Sequence, residues 1–292
     1  MHGPEATVIT QPFFLDTPAG ALFAVHHAPA AAVPLQGHVL CVLPFNEEMN
    51  RCRSMVTRQA AAWAAIGFGT LVVDPLGTGD SAGDFAEARW SAWLDGIDAA
   101  HRWLAALPGG CRVLWGIRLG AILATEWHAR HADAGTALLL WQPVSDGKTH
   151  LTQFLRVRIA AQIDRPDLPK ETTASMREVL AAGTAVEVAG YALHPALTQA
   201  IDNARLDSHR LAEGTNMLWL ENAPVDKAEP SPGTKALLAR WPGAGVACEV
   251  RTFDGPAFWQ VHERVLAPEA VACSTDWLRT WAAEPANAGA HP

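Results

Sequence analysis

The chain has 292 residues, enough to bury one substantial core, and its 49% hydrophobic and 18% charged content is that of a globular protein rather than a disordered one. A net charge of −8 and a pI near 5.8, with no compensating basic stripe in the sequence, exclude nucleic acid as the expected partner. No apolar run approaches the roughly 18 residues of a membrane span, and Met1 to Gln11 lacks the basic-then-apolar order of a signal peptide, so neither is expected.

Residues 7–14 and 21–26 read as two strands around the turn signal Thr17-Pro18-Ala19-Gly20. His38 to Leu43 is a short continuous apolar run, the pattern of a strand buried on both faces, and it ends in Pro44-Phe45-Asn46-Glu47-Glu48. A helix is expected from Arg51 to Ile66, a strand over Thr70 to Asp74, a Gly-rich loop over Pro75 to Asp84 and a helix from Trp90 to Leu107. A strand at Arg112 to Trp115, a helix at Leu119 to His131 and a buried strand at Thr136 to Trp141 complete the alternation, which implies a mostly parallel, doubly wound α/β sheet.

From Gln142 to about Leu211 the pattern turns mostly helical and amphipathic, as expected of an insertion lying over the sheet. Strands resume at Met217 to Leu220 and Cys248 to Phe253, followed by a helix at about Pro268 to Trp281. The resulting division is a core of 1–143 and 212–284, a helical lid of 144–211 and a flexible tail of 285–292. Hairpin, alternating core, lid, two strands and a last helix are the order of an α/β-hydrolase fold.

The most informative stretch is Arg112 to Ala121. An apolar run meets Gly116, a second glycine follows at Gly120, and a helical segment begins, which is the strand–turn–helix layout of a nucleophile elbow. The central position holds Arg118 where serine belongs. A guanidinium stays protonated and cannot attack a carbonyl, so serine-hydrolase chemistry loses its nucleophile. Two roles stay open for Arg118: an ion pair to Glu47, Glu48 or a lid acid, or an anion-binding contact at a helix N-terminus. The literal Gly79-Asp80-Ser81-Ala82-Gly83 neither closes directly on a strand nor opens directly into a helix, so Ser81 is a weak alternative nucleophile.

An orienting acid is expected after the Met217 strand, where Asp226 is the candidate. The turn after the last strand reads Gly255-Pro256-Ala257-Phe258-Trp259, with aromatic rings where the catalytic histidine is expected. His262 follows and is expected on a helix. Glu47 and Glu48 fall in the loop that builds half of an oxyanion hole; they either balance Arg118 or activate a water. Trp115, Trp141, Trp219 and Trp259 fall in or just beyond the C-terminal halves of core strands, where open α/β sheets bind ligands; Phe45, Asn46 and Leu119 are candidate ligand contacts with Trp115, Trp141 and Trp259. Those indoles either face a sugar or acyl ligand or fill gaps beside the sheet.

Five cysteines without CxxC spacing point to free thiols in a reducing cytoplasm, with no metal expected. The glycines at 77, 79 and 83 lack a dinucleotide βαβ context, and no cofactor is expected.

Several motifs together resemble the exosortase A system-associated hydrolase 2 family, found beside PEP-CTERM sorting and exopolysaccharide genes. They are Pro44 to Asn50 with Arg53, Asp74 to Ser81, Trp115 to Gly120, Trp141-Gln142-Pro143, Phe154-Leu155-Arg156 and Gly255 to Trp259. The resemblance covers nearly the whole chain. It implies an α/β-hydrolase fold, arginine as the usual elbow residue, and pathway partners of an exopolysaccharide/exosortase system. The function expected from residues and resemblance together is binding of an anionic sugar, acyl or carrier-linked ligand without serine chemistry. The alternative is an ester or acyl hydrolase, or acyltransferase, using water activated by Glu47, Glu48 or His262.

Overall fold

The apolar runs of the alternating core pair into an eight-stranded sheet. Its spatial order is β1 (Thr10–Leu15), β2 (Leu22–His27), β4 (Phe68–Val73), β3 (Gly37–Val42), β5 (Cys111–Ile117), β6 (Ala137–Trp141), β9 (Asn216–Asn222) and β10 (Ala247–Phe253). These coordinates are a computed structural model that describes residues 9–162, 170–224, 229–241, 243 and 245–284. β2 pairs antiparallel with β1 and with β4, and every other neighbour pair is parallel.

Strand alternation sends successive residues to opposite faces, and both faces are covered. Val39 and Cys41 of β3 and Val113, Trp115 and Ile117 of β5 pack with helices α1 (Glu47–Ala64) and α8 (Pro268–Ala283). Leu40 and Val42 of β3 and Leu114 of β5 pack instead with α2 (Trp90–Ala105) and α3 (Gly120–His131). β3, β4 and β6 are therefore buried at every position, as their unbroken apolar runs require.

Between β6 and β9 the chain forms α4 (Gly147–Ala161), α5 (Thr173–Ala181), a hairpin of β7 (Val186–Val188) and β8 (Tyr191–Leu193), and α6 (Pro195–Asn203). The hairpin corrects the mostly helical expectation: Gly190 at φ 84° supplies a left-handed turn that the helical reading passed over. Helix α7 (Pro232–Arg240), between β9 and β10, was likewise not expected; Ser231 caps it by accepting from Thr234 N, and Pro232 starts it. The 285–292 tail lies outside the described residues. No helix among the described residues is long and apolar enough to cross a membrane.

A histidine cluster sits at the β2–β4–β3 junction. His26 and His38 are buried with Nε2 and Nδ1 3.4 Å apart, and His38 Nε2 lies 3.2 Å from Pro108 O. Burial, then the neighbouring His38 and His27, holds His26 down at about 4. Burial also lowers His27 and His38. The unfolded chain therefore binds protons here that the folded chain refuses. Stability is fully present above about pH 6.5 and declines as pH falls toward 4, with His26 alone accounting for roughly 2–3 kcal/mol. We expect urea unfolding followed from pH 7 to 4 to show a shallower decline for His26→Gln than for wild type. Parallel curves would show that this cluster is not the source.

Candidate functional site

β5 ends at Ile117, Arg118 takes φ 55°, and α3 begins at Gly120. The two glycines of the turn are steric necessities. A Cβ on Gly116 would stand 2.5 Å from Ala121 Cα, and one on Gly120 would stand 2.3 Å from Val42 O. The chain thus folds the sharp elbow expected of Gly116 to Gly120, with Arg118 at its apex. Asn46 (φ 52°) and Gln142 (φ 41°) are also left-handed, so the segments following three neighbouring strands, β3, β5 and β6, all hold a non-glycine residue in strained backbone at one edge of the sheet.

The Arg118 guanidinium is fully engaged. Nε and Nη2 donate to Glu48 Oε1 at 3.2 and 3.1 Å, and Nη1 donates to Gln142 O at 3.1 Å. The Trp259 ring lies beneath it, 5.3 Å from the guanidinium carbon. Both side chains of the pair are mostly buried, at 12% and 17% exposure, so neither charge could stand alone there. Of the two roles open to Arg118 in the sequence, the ion pair is the one observed, and Glu48 is the partner.

Glu47 and Glu48 do not stand in a loop as expected. Helix α1 starts at Glu47, four residues ahead of the expected Arg51, and puts both carboxylates in its first turn, where the helix dipole favours them. Glu47 Oε1 accepts from Tyr191 Oη at 2.8 Å, which ties β8 to α1. Burial and the Glu47 carboxylate raise the Tyr191 hydroxyl above its ordinary value, so it remains a donor.

Phe45, Glu47, Glu48, Arg118 and His262 converge on one cavity of about 370 Å³, together with Arg51, His150 and Phe154. Other expected residues fall elsewhere. Asn46 and Leu119 are buried, and the Asn46 amide has no hydrogen-bond partner on either atom. Trp115 and Trp141 do not line the cavity. They are buried in edge-to-face contact between sheet and helices, with Trp63 edge-to-face on the far side of Trp115 and Trp141 Nε1 donating to Ser274 Oγ at 2.7 Å. Trp259 is buried beneath Arg118 rather than open to a ligand. His262 stands in an exposed loop, not on a helix, with its ring 3.4 Å from Arg51 Nη2. Asp226 lies outside the described residues.

Ser81 is a structural serine. Its Oγ donates to Asp74 O at 2.6 Å and accepts from Phe23 N at 2.8 Å, which fastens the Gly-rich loop to β2. Among the described residues, no group of three or more His, Cys, Asp or Glu could hold a metal.

Two ionisable cavity residues, Arg51 and His150, were not among the sequence candidates. Arg51 follows Glu47 and Glu48 by four and three positions, one helical turn, but placing the helix start at Arg51 hid that spacing. His150 carries no motif; only the docking of α4 brings it in. It is buried, and desolvation lowers its pKa more than Glu48 raises it, so the imidazole is neutral near pH 7.

No protein-family model matches the chain, and no curated protein does. Solved structures do. Est1E from Butyrivibrio proteoclasticus, with ferulic acid bound, has a TM-score of 0.66 at 15% identity, over 93% of this chain and 100% of that one. A lidless α/β serine hydrolase, XC6422 from Xanthomonas campestris, has 0.56 at 13% identity over 96% and 98%. A soluble variant of monoglyceride lipase from Saccharomyces cerevisiae, with a substrate analogue, has 0.61 at 8% identity over 94% and 97%. The chain has the α/β-hydrolase fold. Within that fold it is a form with arginine at the elbow and tryptophan packed against it.

Removing one partner of the Arg118–Glu48 pair strands the other charge. We expect Arg118→Met or Glu48→Gln to cost roughly 3 kcal/mol each and the double variant to cost much less than their sum. Additive losses in urea unfolding would mean the pair contributes nothing as a unit.

Proposed function

We propose that the cavity is a binding site for an acyl- or sugar-bearing ligand with an anionic group, used without serine-hydrolase chemistry. The observation that carries this reading is Arg118 at the elbow apex, locked to Glu48. The elbow apex holds no nucleophile, and the serine of the literal G-x-S-x-G match, Ser81, is committed to two backbone partners. The cavity walls support a partly apolar ligand, since Phe45, Phe154 and Val157 line it beside the charged groups. Because Glu48 neutralises Arg118, the cation left for a ligand anion is Arg51. Its Nη1 donates to Gln260 O at 3.0 Å, and no carboxylate lies within ion-pair distance of it among the described residues. On the motif resemblance, the setting is an exopolysaccharide/exosortase system and the compartment the cytoplasm, with the segment over the cavity acting as a lid.

One observation favours a second reading, a hydrolase or acyltransferase that activates water. His150 faces the cavity as a neutral base, whereas Glu48 is held by Arg118 and Glu47 by Tyr191.

Hydrolysis of p-nitrophenyl and thioester acyl substrates by wild type, Arg118→Ala, Glu48→Ala and His150→Ala separates the two. Background rates for all four proteins, with no fluorophosphonate labelling of Ser81, are the expected result. Turnover that falls in His150→Ala establishes the hydrolytic reading instead, and labelling at Ser81 restores a serine mechanism.

A further inference from the structure

Beside the cavity lies a second depression, a groove of about 510 Å³ between the outer face of α1 and the loop after β10. Arg51, Arg53 and Arg58 come from α1, and His262 and Arg264 from the loop. Four arginines and one acid, Glu263, line it, in a chain whose net charge is −8. Helical spacing brings the three α1 arginines to this side: positions 51 and 58 are two turns apart, and 54 lies between them as a serine.

The charge of this groove is not cancelled internally. Arg53 pairs with the buried Asp74 at 2.9 Å. Arg51, Arg58 and Arg264 have no carboxylate within ion-pair distance among the described residues, and Arg51 Nε is buried without a hydrogen-bond partner. The contrast is a larger groove of about 740 Å³ among the helices of the insertion, where Arg177 pairs with Asp202 and Arg205 with Asp146. Both arginines of that groove are paired, although Lys148 is not; the α1 groove holds three arginines without a carboxylate partner among the described residues.

Arg51 and His262 line both the groove and the elbow cavity, so the two spaces meet at these residues. The elbow cavity sets Phe45, Phe154 and Val157 beside an internally paired Arg118–Glu48, whereas the groove is lined by guanidinium groups. Guanidinium forks match phosphate oxygens in geometry and charge. We propose that the α1 groove is a phosphate subsite, and that the ligand is a bipartite molecule with an acyl group in the elbow cavity and the phosphates of its carrier on Arg51, Arg58 and Arg264. This rests on the cavity reading above for its acyl half; the phosphate half stands on the groove alone.

Four probes test it by calorimetry: octanoyl-coenzyme A, free coenzyme A, octanoyl-pantetheine and inorganic pyrophosphate. The comparison is wild type against Arg58→Ala/Arg264→Ala, two exposed positions outside the elbow cavity, with circular dichroism to confirm the fold. Octanoyl-coenzyme A is expected to bind tightest. The double variant is expected to weaken it and coenzyme A by about tenfold or more, equivalent to about 1.4 kcal/mol or more. The variant should also flatten the salt dependence of octanoyl-coenzyme A binding and leave octanoyl-pantetheine unchanged. Equal affinity of wild type and double variant for octanoyl-coenzyme A, or no binding of pyrophosphate to wild type, overturns the subsite. Binding of pyrophosphate without octanoyl-pantetheine keeps the subsite and removes the acyl reading of the cavity.

Discussion

The close approach of helix α3 to the sheet at Gly116 and Gly120 is the constraint on which the site depends. Any Cβ at either position would collide with backbone, so the turn can be made only with glycine there. That turn thrusts residue 118 out of the sheet in left-handed conformation and fixes where its side chain begins. Everything built around it follows from what a guanidinium needs at that point: a carboxylate from the first turn of α1, a carbonyl from the strained residue after β6, and an aromatic face from the turn after β10. A serine at the same point would need a base, an orienting acid and oxyanion donors. The scaffold is shared, and the shell around the apex differs.

The partnership also accounts for the electrostatics of the cavity. Pairing Arg118 with Glu48 leaves the elbow nearly neutral, and the Tyr191 hydroxyl on Glu47 adds a polar link between insertion and core beside the packing of Phe154 on Phe45. The uncompensated positive charge sits one helical turn further along α1, at Arg51 and beyond.

The sheet was legible in the sequence because strands buried on both faces are dominated by apolar residues, as VLCV of β3 and ALLLW of β6 are. The elbow was legible because glycine at two fixed positions answers a steric demand. The start of α1 was not. Asn46 serves as N-cap in left-handed backbone without the side-chain hydrogen bond that normally marks a cap, so the helix seemed to begin after its own acidic turn. Trp115 and Trp141 sit at strand ends in sequence, but their side chains point to the face that α1 and α8 cover. Which face a large ring occupies depends on strand register against the helices, and that is settled by packing. His150 was invisible for a related reason: its part in the cavity comes from the docking of α4, which no local pattern encodes.

The packing of Trp259 against Arg118 limits what residue 118 can become. Serine placed there would not make a hydrolase, because an indole fills the neighbouring space and contributes no proton acceptor. It would also leave Glu48 facing the apex with no counter-charge. Nucleophilic chemistry at the apex would therefore demand coordinated replacement of residues 48, 118 and 259. Positions 48 and 118 are interlocked: a change at either alone strands a mostly buried charge, so the two tolerate substitution only together.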